Sequence, residues 1–258
     1  MAAGALTELD HLSYSSISSY LACGHNWKMH YIDHIPAPTS PALLFGSAFH
    51  GTIEGHLRGE GDITELWRAN WAEQLEKNPG VEWDDSPEEL CNDGIRMFTH
   101  KDLLTGIQAI KPQIDDQGPR IERKIELHVP GVPLPIVGYI DIITADGVPG
   151  DFKTSSTRWS DDKALAETQT LFYLAALNQM GETIPGWRFR HFVFVKTKTP
   201  QFQRIEHTHN PGQLMWLFKQ IKSVWDGIEA GVFPLNSGGW KCGPKYCDYW
   251  MRCRGKWG

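Results

Sequence analysis

The segment from Val132 to Thr154 constrains this chain more than any other. Its branched and aromatic residues predict a strand over Val132–Thr144, a turn at Asp146–Gly147 and a returning strand over Val148–Thr154. Side chains alternate along a strand, so Asp151 and Lys153 project from one face. Asp141, at the end of the neighbouring strand, can reach the same spot. Two carboxylates and an amine then converge on a sheet edge. Carboxylates are hard ligands for Mg²⁺ or Mn²⁺. Such an ion polarises a phosphoryl group and activates water, and a lysine can neutralise the developing charge. The hairpin therefore suits metal-dependent phosphodiester hydrolysis. Taken alone the pattern is short and common, and a surface hairpin with an ion pair would carry it equally.

The flanking sequence predicts the frame. Before Gly118 the pattern is helical, over Ser15–Tyr31, Phe45–Leu57, Ile63–Leu75 and Pro87–Ile110, with a Pro-rich loop at His34–Pro41. Ile121, Ile125, Leu127 and Val129 mark a first strand. A helix over Asp161–Met180, strands over Phe189–Thr197 and Gln201–Thr208, and an amphipathic helix over Pro211–Ala230 follow. This order predicts an α/β fold with a central mixed sheet flanked by helices. One domain over residues 1–258 is expected: a helical part (1–117), a core (118–235) and a Cys-rich tail (236–258).

Composition narrows the class. Of 258 residues, 41% are hydrophobic and 22% charged, which is globular rather than disordered. No apolar run is long enough to span a membrane, and Met1–Asp10 lacks the features of a secretory leader. Net charge is −6, yet the stretch from Trp187 to Gly258 carries +8 and that from Glu54 to Gly118 carries −9. That asymmetry fits a molecule with one face suited to phosphates, and equally an acidic solvated helical face with a basic tail. The cations of the stretch from Trp187 include Lys196, Lys198 and Lys256. Arg158 and Trp159 follow the Asp151–Lys153 strand and are candidates to contact phosphate and to stack on a base.

Further motifs surround the hairpin. Gly46 and His50 lie in a predicted helix, and His50 is a candidate imidazole ligand that would favour Mn²⁺. Gln169 and Tyr173 share a helical face. In order, the Ser-rich first helix with Cys23, the G-x-x-x-H helix (Gly46, His50), the G-x-x-D strand (Gly138, Asp141), the D-x-K strand (Asp151, Lys153) and the Q-x-x-x-Y helix (Gln169, Tyr173) resemble the PD-(D/E)XK nuclease superfamily, in its RecB-type exonuclease branch. The resemblance implies a restriction-endonuclease-like sheet, with His50, Asp141 and Asp151 as metal ligands, Lys153 as catalytic, and Gln169 and Tyr173 in support. It also implies a glutamate before the G-x-x-D strand, Glu122 or Glu126, with Glu122 preferred as the start of the first strand.

Five cysteines make no disulfide scaffold, and three bunched at one end point to metal chemistry in a reducing, cytoplasmic setting. Cys242, Cys247 and Cys253 need a fourth ligand, for which Cys23 is the remote candidate, while Cys91 stands apart. Zinc would suit four thiolates. The resemblance implies instead a [4Fe–4S] cluster held by one early and three late cysteines, although the gap of four between Cys242 and Cys247 departs from the usual two. It further implies a stand-alone phage or CRISPR-associated DNA exonuclease, acting on single strands or duplex ends in a bacterial or phage-infected cell, with a possible recombination or CRISPR partner. A structure-specific endonuclease of the same fold, or a non-catalytic DNA-binding subunit, are the alternatives.

Overall fold

The structure is a computed structural model that describes residues 9–254; Lys256 of the basic tail lies outside the described residues. The chain forms two compact units that interleave in sequence. One comprises residues up to Pro38, Glu126–Gly138 and Pro211 onward; the other comprises Thr39–Ile125 and Tyr139–Asn210.

In the first unit, β1 (Leu12–Ser13) pairs in parallel with the first residues of β5 (Ile136–Ile143). The Ser13–Ser16 capping box starts α1 (Tyr14–Ala22). Cys23 is extended, with φ −166° and ψ 108°, and separates α1 from α2 (Gly24–Tyr31). The single helix predicted over Ser15–Tyr31 is thus two. The predicted strand from Val132 begins only at Ile136, because Pro133 and Pro135 offer no N–H to a neighbouring strand.

In the second unit, four helices precede the sheet: α3 (Pro41–Arg58), α4 (Ile63–Lys77), α5 (Pro87–Thr99) and α6 (Lys101–Ala109). Each of the first three has a side-chain cap, from Ser40, Asp62 and Ser86. The helix predicted over Pro87–Ile110 breaks at His100, which is extended at ψ 129°. A two-residue hairpin, β2 (Ile114–Asp115) with β3 (Gly118–Pro119), follows and was not expected from the sequence. Then come β4 (Ile121–Leu127), β5, β6 (Pro149–Ser155), α7 (Asp161–Leu165), α8 (Gln169–Gln179), β7 (Arg188–Val195) and β8 (Gln201–Thr208). The helix predicted over Asp161–Met180 is likewise split in two.

The sheet runs β5-β6-β7-β8, with β4 also against β5. β5–β6 and β7–β8 are antiparallel and β6–β7 parallel, so the sheet is mixed. A parallel step needs a crossover, which α7 and α8 supply. β7 is buried almost throughout, whereas β8, at the edge, carries exposed Arg204 and Glu206. Phe45, Phe49, Trp67, Trp71 and Phe98 of the helices pack with Phe152, Phe192 and Phe194 of the sheet in one core. Because Phe152 points into that core, Asp151 and Lys153 point to the opposite face. The first unit closes with α9 (Gln213–Glu229), which buries Leu217, Ile221, Val224, Trp225 and Ile228, and a short α10 (Trp250–Cys253).

Candidate active site and cysteine centre

The β5–β6 ladder is in register at Ile142–Gly150 and Ile143–Pro149. Beyond it the N–H of Phe152 donates to Asp141 Oδ2 at 2.5 Å, so a side chain replaces the ladder and draws Asp141 inward. Asp141 and Asp151 are both buried. Burial, and then the charge of Asp151, hold Asp141 well above the usual carboxylate range. Burial also raises Asp151, against the pull of Lys153. Lys153 Nζ lies 3.0 Å from Asp151 Oδ1 and 2.8 Å from Oδ2. The Oδ2 contact is an ion pair outside hydrogen-bonding geometry, which leaves that buried oxygen without a hydrogen bond. Burial opposes the charge on Lys153, yet Asp151 and Asp141 hold its pKa above the ordinary value, so it is a cation at neutral pH.

Lys153 also donates to Gln169 Oε1 at 3.3 Å, and Gln169 Nε2 donates to Tyr173 Oη at 2.8 Å. Tyr173 is buried and its phenol is pushed up by burial, so it stays protonated. Its oxygen accepts from Gln169 and so helps to fix that amide.

α3 brings in His50, whose Nδ1 lies 3.7 Å from Asp141 Oδ2. Burial and the Lys153 charge lower its pKa to about 4, so the imidazole is neutral with a lone pair to offer. One turn on, Glu54 lies within electrostatic reach of Glu122. Glu122 has φ 51°, a left-handed backbone unusual for a non-glycine residue in a strand. Burial, Glu54 and Asp151 raise its carboxyl, partly offset by Arg58, and its charge is felt at Asp141. Glu126, the other candidate, instead lies 4.0 Å from His128 Nε2 in the first unit. Sequence reasoning missed three neighbours. Glu54 and Glu167 add negative charge near the cluster, and buried His191 pairs in register with Asp151. The i,i+4 relation of His50 to Glu54 was the one available signal.

Among the described residues, no three His, Cys, Asp or Glu side chains stand at the spacing of a preformed metal site. The donor chemistry nevertheless fits a divalent cation. Two buried carboxylates face the half-buried Lys153 ammonium, one carboxylate oxygen lacks a hydrogen bond, and a neutral imidazole adjoins them.

The four proposed nucleic-acid contacts differ in placement. Arg158 is exposed and donates to Gln201 Oε1 at 2.8 Å, and Lys198 is exposed. Lys196 lies over the Phe45 ring at 4.6 Å, with Asp93 Oδ2 3.6 Å from its Nζ, so an acidic helix already compensates its charge. Trp159 leaves little ring surface for base stacking. It is buried with Ala164, Val193, Val195 and Ile205, beside His191, and Lys163 Nζ sits 4.3 Å from the ring centroid. Its faces are taken by the protein.

In the first unit, the segment after α9 is tied to the first two helices. Tyr20 Oη donates to the Val232 carbonyl at 2.5 Å, His25 N to that of Pro234 at 3.2 Å, and Asn236 Nδ2 to that of Ala22 at 2.9 Å. Trp27 stacks on Phe233 at 5.8 Å. Gly227 makes room for Tyr20, since a Cβ there would lie 2.1 Å from its oxygen. Asn26 Nδ2 lies 3.8 Å from Cys247 Sγ, and an Arg254 guanidinium nitrogen 3.7 Å from Cys242 Sγ. Burial, and then the charges of Cys23, Cys247 and Cys242, push the Cys253 thiol up. These four thiols, all reduced, are thus electrostatic neighbours, while Cys91 packs against the helical core of the second unit. Among the described residues they do not stand at the spacing of a formed metal site; four thiolates are the donor type of zinc and iron–sulfur sites.

Comparison with known proteins adds the following. A crystal structure from Eubacterium rectale, of a protein described as a "putative exonuclease", superposes with a TM-score of 0.62 at 12% identity, covering 88% of this chain and 85% of that one. The likeness is one of fold, a restriction-endonuclease-like mixed sheet flanked by helices. The structure of SSO0001, also 12% identical, covers 94% of this chain and 96% of that one at a TM-score of 0.34, too low to bear on the fold. No curated protein matched. The family model of the PD-(D/E)XK nuclease superfamily matches residues 11–254. With its ordered motifs lying in that match, the chain belongs to the PD-(D/E)XK nuclease superfamily.

Proposed function

We propose that this chain is a metal-dependent DNA exonuclease of the RecB type, using Mg²⁺ or Mn²⁺, with a structural [4Fe–4S] cluster on Cys23, Cys242, Cys247 and Cys253. The observation that carries the catalytic part is the Asp141–Asp151–Lys153–Gln169 group, two buried, raised carboxylates against one half-buried ammonium. Asp141, Asp151, His50 and Glu122 would hold the ion, which when bound would polarise the scissile phosphoryl group and make a nearby water more acidic. Lys153 stays protonated and so acts as a positive donor to a phosphoryl oxygen or to the attacking water, not as a general base. Gln169 fixes where that ammonium sits, and Tyr173 fixes Gln169. Lys198 and Arg158 contact backbone phosphates. The exonuclease reading draws on the RecB-like motif order and on the description of the Eubacterium rectale protein.

The test is digestion of 5′- and 3′-labelled single- and double-stranded DNA, with a circular control, in Mg²⁺, Mn²⁺ or Ca²⁺. Release of mononucleotides from ends, with circles intact and Ca²⁺ inactive, is the expected result. Cleavage of circles would make the enzyme an endonuclease of the same fold, and no cleavage in any ion would reject catalysis.

A further inference from the structure

The tail that carries three of the cysteines also carries, among the described residues, the most exposed tryptophan and tyrosine of its unit. Trp240 is 75% exposed and Tyr246 55%. Large rings left in water in this way are uncommon away from binding surfaces, and here they are neighbours, with centroids 5.5 Å apart and planes at 70°. Each is paired with an exposed lysine: Lys241 Nζ stands 5.5 Å from the Trp240 ring and Lys245 Nζ 5.8 Å from the Tyr246 ring. Short turns hold the segment, with Cys242 N donating to the Gly239 carbonyl at 2.8 Å and Tyr246 N to that of Gly243 at 3.1 Å.

We infer that Trp240 and Tyr246, with Lys241 and Lys245, form a stacking platform for unpaired bases of single-stranded DNA. Rings offer π-faces to any base, and the lysines beside them neutralise the phosphates that link successive bases, which is the chemistry of sequence-tolerant single-strand binding. An apolar protein partner would not need paired cations, and a duplex hides its base faces, so the charge pattern favours a single strand. The inference rests on the nuclease reading and deepens it by naming the form of the substrate.

The experiment measures anisotropy of a labelled oligo-dT and of a blunt duplex in EDTA, so that binding is read without cleavage. Alongside it, hydrolysis of a chromogenic thymidine phosphodiester in Mn²⁺ reads the catalytic centre. The W240A/Y246A protein should lose roughly tenfold or more of its oligo-dT affinity. Its duplex affinity and diester hydrolysis should stay within about twofold, since neither uses stacking on unpaired bases. W240F should retain most of the single-strand affinity, because a phenyl ring still stacks. K241E/K245E should weaken both DNAs and lower the slope of log affinity against log salt by about one to two. Unchanged oligo-dT affinity in W240A/Y246A, or an equal loss on duplex, overturns the platform. If instead the wild-type protein hydrolyses nothing in any ion, the nuclease reading fails, and the anisotropy arms still decide the platform.

Discussion

Gln169 accepts a hydrogen bond from Lys153 through one amide atom and donates to Tyr173 through the other. The amide is therefore a spacer that sets the direction of an ammonium already paired with Asp151. Gln169→Ala should lower kcat about 10- to 100-fold with KM little changed, because a transition-state contact is misdirected rather than removed. Tyr173→Phe should cost less, within about fivefold, since it acts through Gln169. A KM effect larger than the kcat effect in either variant would show that these residues bind DNA instead.

Asp151→Ala and Lys153→Ala should each cost about 10³-fold or more in cleavage while DNA binding persists, because phosphate contacts elsewhere supply most of the affinity. Full activity in either protein would remove that residue from the reaction.

The raised Asp141 carboxyl has a consequence for stability. Its pKa in the folded protein exceeds the unfolded value, so without metal the unfolded chain ionises first as pH rises. Stability due to this group is present below the ordinary carboxylate range and is lost as pH rises through the raised value. Asp141→Asn should therefore raise the Tm of the metal-free protein at pH 7 to 8, by on the order of 1 kcal/mol in stability, while abolishing activity. Added Mn²⁺ should stabilise the wild-type protein in that pH range and Asp141→Asn much less. A lower Tm for Asp141→Asn in EDTA at pH 8 would contradict the buried charge.

Cys23→Ser, Cys242→Ser, Cys247→Ser or Cys253→Ser should reduce solubility or Tm more than Cys91→Ser, since a structural metal centre contributes folding free energy. Protein purified without oxygen should absorb near about 400 nm if the centre is iron–sulfur. One stoichiometric zinc in a colourless protein would replace the cluster and keep the four sulfurs.

Gly227→Ala should destabilise by about 1 to 3 kcal/mol, because the added methyl would meet the Tyr20 hydroxyl. Thermal unfolding of this variant beside Gly80→Ala, whose surroundings are open, measures the difference.

The hairpin and the grouping of Asp141 with Asp151 and Lys153 were legible because a period of two fixes which residues share a face of a strand. Turn residues gave the strand limits at Gly147 well and those near Pro133 poorly, where the missing N–H outweighed the apolar pattern. The break at His100 carries no proline or glycine and so left no mark in the sequence. Glu167 and His191 reach the site through tertiary proximity, which one sequence does not display, whereas Glu54 follows His50 by one helical turn. Glu122 approaches the cluster with a left-handed backbone that alternation could not foresee. Trp159, a candidate to stack on a base from its place in a Ser/Thr loop, packs into a small core, a contact that only the tertiary fold displays.

The interleaving of the two units sets an order of events during synthesis. The second unit has all its residues once Asn210 has been made. The first cannot be completed until the residues after Pro211 appear, so Tyr20 and Trp27 wait for Val232 and Phe233. At typical rates of about 5 to 20 residues per second, that wait is roughly 10 to 40 s. For that interval the aromatic surface of these two helices lacks the segment that covers it.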